Sequence, residues 1–267
     1  MSGLPLLPFF TVICAVQIGA QPIETDRPDQ TETSWTIPER RLQVEAGYAR
    51  EWQADRDAVL IAPTSSSIGA LMRFAVFEGF ELRGYGAWIR VEPGTVVPTV
   101  QPGPGPHRPE EQTVSGIGDV AVGTKVAVVR EAGFLPETSI IAHVTLPIGA
   151  SAFRPSRLTP DVRGSFSHTF AEDLSLGYNL GISWGNGFEA PSFVYTLALG
   201  HDLTHRIGAY AELFGIVPSD GPSQTAIDGG LTWGAANHLQ IDATIGLIMS
   251  SPAFLTAGTG VSIRLPQ

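Results

Sequence analysis

The sequence predicts an all-β fold: a transmembrane, antiparallel, up-and-down β-barrel of about twelve strands. Apolar and polar residues alternate in segments of roughly ten residues, most clearly in DVRGSFSHTFAEDLSLGYNLGISW at 161–184. A three-residue turn at 171–173 interrupts the alternation, which indicates a β-hairpin with one apolar and one polar face. Charged residues make up only 16% of the chain, and the mean hydropathy is +0.12. No apolar run of about 18 residues follows position 20, so strands rather than helices are predicted to cross the membrane.

Composition argues against several other classes of protein. The net charge of −10 argues against a nucleic-acid partner, because phosphate binding needs a basic face. With one cysteine, Cys14, neither a disulfide framework nor a cysteine-based zinc site is expected. The six histidines are scattered, and His201 and His205 flank a predicted turn without forming a ligand pattern. We expect no metal and no cofactor.

Two segments precede the predicted barrel. Residues 1–20 are uncharged and largely apolar and end in small residues, which predicts a signal peptide cleaved before Gln21. Residues 21–40 are polar, contain three prolines and lack periodicity, so we expect a periplasmic tail or plug rather than a strand. The barrel is predicted to occupy residues 41–267.

Short motifs in the chain resemble a known bacterial family. IETDRPD at 23–29 and RLQVEAGY at 41–48 are similar to that family's opening motifs. GIGD at 116–119, followed by Gly123 and Lys125, resembles its Gly-x-Gly-Asp strand motif. The family is labelled for the MetA pathway of phenol degradation, or simply as a transporter. The resemblance implies a Gram-negative outer-membrane β-barrel that carries a small, aromatic or organic solute.

The alternation predicts twelve strands whose connections alternate between long and short. Outer-membrane barrels have short periplasmic turns and longer external loops, so we expect strand 1 to run outward and both barrel ends to lie in the periplasm. A soluble β-sandwich, the alternative all-β fold, gives no reason for this sorting. The longer connections are 53–65, 92–116, 148–160, 185–192, 218–224 and 250–254. The predicted strands are about 41–52, 66–75, 79–91, 117–130, 138–147, 161–170, 173–184, 193–201, 205–217, 225–234, 238–249 and 255–265.

The longest connection, 92–116, is rich in proline and glycine and has no apolar period. Proline keeps such a segment out of a β-ladder and partly extended, so we expect a mobile external loop. It is expected either to fold over the mouth of the barrel as a constriction or to shield the surface.

Aromatic residues are predicted to form two belts at the lipid–water interfaces. Ordinary strand propensity is the alternative explanation, because aromatic residues favour any sheet. The outer belt comprises Trp52, Trp88, Trp184, Phe193 and Tyr195, and the periplasmic belt comprises Phe74, Phe80, Phe170 and Trp233.

The polar face of the strands is predicted to line a lumen. In strand 11 the odd positions from Leu239 to Met249 are apolar and are assigned to lipid, which turns Asp242 inward. A charge that faces acyl chains costs roughly 2–4 kcal/mol for Arg or Lys at mid-depth, so ionisable side chains belong inside. The same parity predicts twelve lumen residues: Glu45, Arg73, Glu81, Arg83, Asp119, Lys125, His143, Arg163, Glu212, Asp228, Asp242 and Arg264.

Two interpretations of these charges remain open. In one, acids and bases interlock across the lumen and give a filled barrel with a structural or adhesive role. In the other, they line a narrow pore that selects solutes by charge and hydrogen bonding. We favour the pore, because eight strands are just filled by side chains whereas larger lumens tend to leave channels. A plug is expected to dock from the periplasmic end on Arg73, Arg163 or Arg264 through Glu24, Asp26, Arg27 and Asp29.

An enzyme is the third interpretation. GISWG at 181–185 fits the G-x-S-x-G pattern, but that motif needs a helix after the turn, and Asn186-Gly187 indicates a loop. An outer-membrane hydrolase would use Ser183 with His168, a residue that the parity assigns to lipid. No catalytic residue is assigned. The function that fits best is passive passage of a small-molecule solute through a monomeric barrel surrounded by outer-membrane lipid.

Overall fold

Twelve antiparallel strands close into one barrel. Each strand pairs with its neighbours in sequence, and the last strand pairs with the first, so neither edge of the sheet is left open. The strands are β1 (Leu42–Ala54), β2 (Ile61–Phe77), β3 (Phe80–Val91), β4 (Val114–Val129), β5 (Glu137–Leu146), β6 (Thr159–Ala171), β7 (Leu174–Ser183), β8 (Ser192–Thr204), β9 (Ile207–Pro218), β10 (Gln224–Ala236), β11 (Leu239–Ile248) and β12 (Ala253–Leu265).

Two predicted elements fall wholly or mostly outside the described residues of this computed structural model. They are the signal peptide, 1–20, and residues 94–111 of the long external loop. Within the part of the chain that is described, no helix has the length and apolar character needed to cross a membrane. The structure describes residues 23–54, 61–93, 112–185, 187–250 and 253–266.

The predicted fold class and its twelve strands are confirmed. The largest difference in a boundary is at β2, which begins at Ile61 rather than at residue 66. Pro63 argues against a regular strand there, because proline cannot donate to the ladder. In the structure Pro63 stands opposite Trp52, beside a register shift between Glu51 and Trp52. The strand continues through the proline because the proline lies at an irregularity of the ladder.

Four of the five connections at one end of the barrel are two residues long and 130–136 is the exception, whereas every connection at the other end has four or more residues. Leu42 and Leu265 pair with each other at the end that carries the short turns, so the barrel begins and ends there. At one of these turns, between β2 and β3, Gly79 has a φ of +79°, a conformation that tight hairpin turns require and glycine adopts without strain. We call this the short-turn end and the opposite one the long-loop end. The connections at the short-turn end are 78–79, 130–136, 172–173, 205–206 and 237–238.

The barrel is apolar outside and polar inside. Ile68, Leu231 and Ile245 point outward and are 59%, 54% and 60% exposed, whereas Arg73 and Lys125 are fully buried inside. A soluble protein almost never buries such charges and does not surround itself with large aliphatic side chains. A transmembrane barrel does both, because lipid contacts its outer face.

Exposed aromatic side chains lie near both ends of the strands. Trp88 and Phe193 lie toward the long-loop end, and Phe170 and Trp233 lie toward the short-turn end. Trp184 was predicted to be the last residue of the seventh strand, but β7 ends one residue before it. Aromatic rings near both ends of the strands are typical of side chains at the two lipid–water interfaces.

A cation on the outer face should destabilise the barrel. We expect Ile245→Lys to lower the free energy of unfolding in phospholipid vesicles by about 2–4 kcal/mol, because acyl chains surround this position. The matched control is Thr256→Lys on the inner face. Thr256 is the register partner of Gly246 on β11, and Gly246 is the register partner of Asp228 on β10. The new ammonium group therefore lies at the same height in the barrel as a carboxylic acid. Equal losses in the two variants would contradict the assignment of faces.

Candidate functional site

The inner face of the barrel carries the ionisable residues predicted for the lumen. Arg73, Arg83 and Lys125 lie on the consecutive strands β2, β3 and β4, whereas three acids lie on the consecutive strands β9, β10 and β11. The lumen therefore has a basic wall and an acidic wall. Eight of the twelve predicted residues are buried, namely Glu45, Arg73, Glu81, Arg83, Lys125, Glu212, Asp242 and Arg264, and four are partly buried, namely Asp119, His143, Arg163 and Asp228.

An N-terminal segment, residues 23–37, runs through the inside of the barrel. Its backbone amides donate to side chains of the wall: Asp26 N to a Glu45 carboxylate oxygen at 2.9 Å, and Glu32 N to Asn179 Oδ1 at 2.7 Å. Glu45 lies on β1 and Asn179 on β7, on opposite sides of the ring. The segment thus crosses the lumen, and wall side chains take the place of the strand partners that its buried amides lack.

Asp26 is held by three basic residues, Arg73, Arg83 and Lys125, which we call the cationic cluster. Its carboxylate lies 3.3 Å from Arg73 Nη1, 2.9 Å from Arg83 Nη1 and 3.1 Å from Lys125 Nζ. All four side chains are at most 1% exposed. Burial alone would raise the pKa of Asp26, but the three positive charges outweigh burial and hold the pKa below its usual range.

Two carboxylates of the wall complete this network. Arg73 contacts Glu45 at 3.0 Å and Glu81 at 2.9 Å, and Arg83 lies 3.8 Å from Glu81. Arg73 also donates to the carbonyl of Glu24 at 3.3 Å, so Glu24 meets the wall through its backbone. The guanidinium of Arg73 is therefore satisfied on several sides, as a buried charge requires.

Glu32 makes a second ionic contact between the segment and the basic wall. Its carboxylate pairs with Arg83 and lies 4.0 Å from Arg163 Nη1. Arg163 has a closer partner on its own strand, Asp161, at 2.8 Å. His143 is the register partner of Asp161 on β5 and so lies beside this group.

The acidic wall is met by Arg27 and Thr31. Arg27 Nη2 lies 3.4 Å from Asp242 on β11. The Thr31 hydroxyl hydrogen-bonds to Thr196 at 2.7 Å and also to Glu212. Adjacent parts of one segment therefore match the opposite charges of the two walls.

A second group of acids lies at the middle of the segment. Glu212 and Asp228 are register partners on β9 and β10. Burial, together with these two neighbouring acids, raises the pKa of Asp29 well above its usual range. The surroundings of Asp29 therefore oppose its ionisation, whereas the cationic cluster favours ionisation of Asp26. No described set of three or more His, Cys, Asp or Glu residues is arranged to hold a metal ion.

A cavity of about 430 Å³ lies beside the segment. Ser175, Tyr210 and Gln240 help to line it, together with residues of the short turn between β6 and β7. Asp119 lies roughly 20 Å nearer to the long-loop end than Lys125 on the same strand. The segment therefore contacts both walls, and the cavity lies between the segment and residues of β6 to β11 near the short-turn end.

The sequence profile of the family described as "Putative MetA-pathway of phenol degradation" matches residues 25–265. The chain belongs to this family. The match includes most of the N-terminal segment as well as the barrel. No curated protein matches the sequence significantly.

Solved structures with the same fold include an outer membrane channel and two porins. The COG4313 outer membrane channel from Pseudomonas putida F1 has a TM-score of 0.63 and 12% identity, over 91% of this chain and 100% of that one. The NanC porin has a TM-score of 0.55 and 9% identity, over 83% and 98%. The KdgM porin has a TM-score of 0.51 and 13% identity, over 82% and 98%. With its apolar outer face, this family member is a bacterial outer-membrane barrel.

The three arginines on which the segment was expected to dock, Arg73, Arg163 and Arg264, have different partners in the structure. Arg73 pairs with Asp26. Arg163 is approached by Glu32 rather than by one of the four charges named from the sequence. Arg264 donates to a carbonyl of the β10–β11 turn at 3.3 Å. The ionic contacts of the segment are therefore concentrated on β2–β4, where the three cations of the cluster come together.

Sequence reasoning missed the uncharged groups that hold the segment. The Ser139 hydroxyl donates to the carbonyl of Ser34, and Asn179 Nδ2 donates to the carbonyl of Glu32 at 2.9 Å. Thr196 contacts the segment through its hydroxyl. The small, hydroxylated inner face was the available signal, but the partners of these groups are backbone atoms of a segment without periodicity.

The hydrolase pattern does not form a site in this family member. Ser183 faces inward at the long-loop end of β7, whereas His168 lies on the outer face of β6, stacked with Phe170. Ser183 is the register partner of Asp161, and Asp161 is seven residues from His168 along β6, or roughly 23 Å. A nucleophile and its base must lie within hydrogen-bond reach, so these two side chains cannot act together.

Docking of the segment should depend on the cationic cluster. We expect Lys125→Met to speed amide hydrogen exchange in residues 23–37 by about tenfold or more, because a charge-assisted bond contributes roughly 1.5–3 kcal/mol. The matched control is Arg130→Met, which removes only the exposed Arg130–Glu78 pair. Mass spectrometry of peptides from this region gives the rates. The same exchange rates in both variants would contradict the assigned contacts.

Proposed function

We propose that this barrel lets a small organic solute cross the outer membrane passively, as a monomer in lipid and without a covalent step. The observation that carries the proposal is the ionisable lining of a closed barrel whose outer face is apolar. Lumen charges then select the solute, and the concentration gradient drives it. The family description, which names phenol degradation, supports an aromatic or otherwise organic solute.

The N-terminal segment is the gate in this proposal. It lies across the lumen from β1 to β7 and narrows the passage on the side of the basic wall. The cavity of about 430 Å³ on the other side is the remaining space through which small solutes pass. Release of the segment would widen the passage and expose the charges that it covers.

A filled barrel with a structural or adhesive role is the second candidate. The specific observation in its favour is the burial of Arg73, Lys125, Glu45 and Glu81, since a network closed to bulk solvent resembles a core rather than a pore lining. The external loops would then carry the function. This candidate predicts no passage of solute in any state of the segment.

Deleting residues 21–36 should raise single-channel conductance several-fold in planar bilayers, because the deletion removes the chain that crosses the lumen. The control for folding is the heat-modifiable gel mobility of the deletion variant, which should match that of the intact barrel. Unchanged conductance in a folded deletion variant would count against the segment as a gate.

Liposome swelling with the same two proteins separates the candidates. A gated pore admits arabinose or benzoate slowly when intact and faster after the deletion. A filled barrel admits neither solute in either form, and that outcome would overturn the proposed function.

A further inference from the structure

Asp26 contacts more cations than any other carboxylate in the described chain. Arg73, Arg83 and Lys125 all lie within 3.3 Å of it, and they come from three adjacent strands. These cations belong to the wall, whereas their shared ligand belongs to a segment that forms no strand. The cluster is thus a preformed receptor for one carboxylate, and the chain supplies that carboxylate itself.

The charges of the wall alone do not balance. Within the described wall, the cationic cluster carries three positive charges and is offset by two carboxylates, Glu45 and Glu81. Among the described residues, Asp26 is the only acid within 4.0 Å of Lys125 Nζ. Removal of Asp26 leaves the buried charge of Lys125 with no described acid within 4.0 Å. Such a charge needs an anion or water to replace the lost partner.

The form of the internal ligand indicates which anion fits. The Asp26 side chain is a carboxylate on one methylene group, so the three cations are spaced for a planar group with a single negative charge. Arginine forks match carboxylate geometry, and the lysine adds a point charge. The replacement of a single lost carboxylate charge also favours a monoanion over a dianion.

We propose that the cationic cluster binds the carboxylate of a small organic acid that passes through the barrel, and that Asp26 is its internal competitor. The inference rests on the proposed function, because the acid must enter the lumen. When the segment is docked, Asp26 fills the site. An organic acid that takes its place releases the Asp26 end of the segment. The apparent affinity of the acid is then reduced by the fraction of molecules in which Asp26 is bound.

Benzoate binding to the purified mature barrel in detergent micelles tests this competition, with isothermal titration calorimetry as the readout. We expect Asp26→Ala to bind benzoate at least about tenfold more tightly than the unsubstituted chain, because the competing carboxylate is gone. Benzamide, which has a similar shape and no charge, should bind neither protein. If Asp26→Ala does not fold, Asp26→Asn takes its place, because it also removes the negative charge of Asp26.

The matched control is Asp29→Ala, which removes the same side chain from the same segment, at a position near Glu212 and Asp228 instead of the cluster. It should leave benzoate affinity unchanged. Adding Lys125→Met to Asp26→Ala should abolish the gain. Equal affinities for Asp26→Ala and Asp29→Ala, or equal binding of benzamide and benzoate, would overturn the inference.

The experiments distinguish a failure of the carboxylate site from a failure of the proposed passage of solute. Tight benzoate binding by Asp26→Ala without any conductance or swelling would overturn the proposed function and leave the carboxylate site standing. Conductance that rises on deletion of the segment, with no benzoate binding by either Asp26 variant, would overturn the carboxylate site alone.

Discussion

Closure of the sheet is the constraint on which the rest of this structure depends. In the hydrocarbon region no water is present to satisfy backbone amides and carbonyls, so every strand needs two partners. The pairing of β1 with β12, from Leu42 with Leu265 to Ala54 with Ala253, provides the last of them. Once the ring is closed, the alternation of side chains sorts each residue to lipid or lumen, and no strand can slip by one residue without reversing both faces.

This sorting explains why so many charges lie inside a small barrel. Ionisable side chains are excluded from lipid, and the lumen has room for them only if they pair with one another or with a further chain. The N-terminal segment is that chain, since it brings Asp26 to the basic wall and Arg27 to the acidic wall. In the proposed gate, the contacts that narrow the passage are therefore the same contacts that neutralise the charges of the walls.

Periodicity predicted the barrel because it depends only on neighbouring residues. A period of two places Arg73, Glu81 and Lys125 on the inner face whatever their partners are. The contacts of the segment do not follow from such a rule, because residues 23–37 have no period and their path depends on the finished barrel. Glu32 was therefore overlooked although it meets two arginines. The start of β2 was predicted too late for a similar reason, since β2 continues past Pro63 beside a register shift, and a register shift is a property of two strands and not of one.

Disulfide trapping tests the central claim, a segment docked inside a closed barrel, most directly. The Thr31 and Thr196 hydroxyl oxygens lie 2.7 Å apart, so Thr31→Cys with Thr196→Cys should cross-link under mild oxidation in the mature chain. Mass spectrometry of the linked peptides detects the bond. Thr31→Cys with Thr225→Cys, in which the second cysteine lies on the outer face, is the control and should not cross-link. Absence of the first bond, or equal yields for the two pairs, would contradict the account.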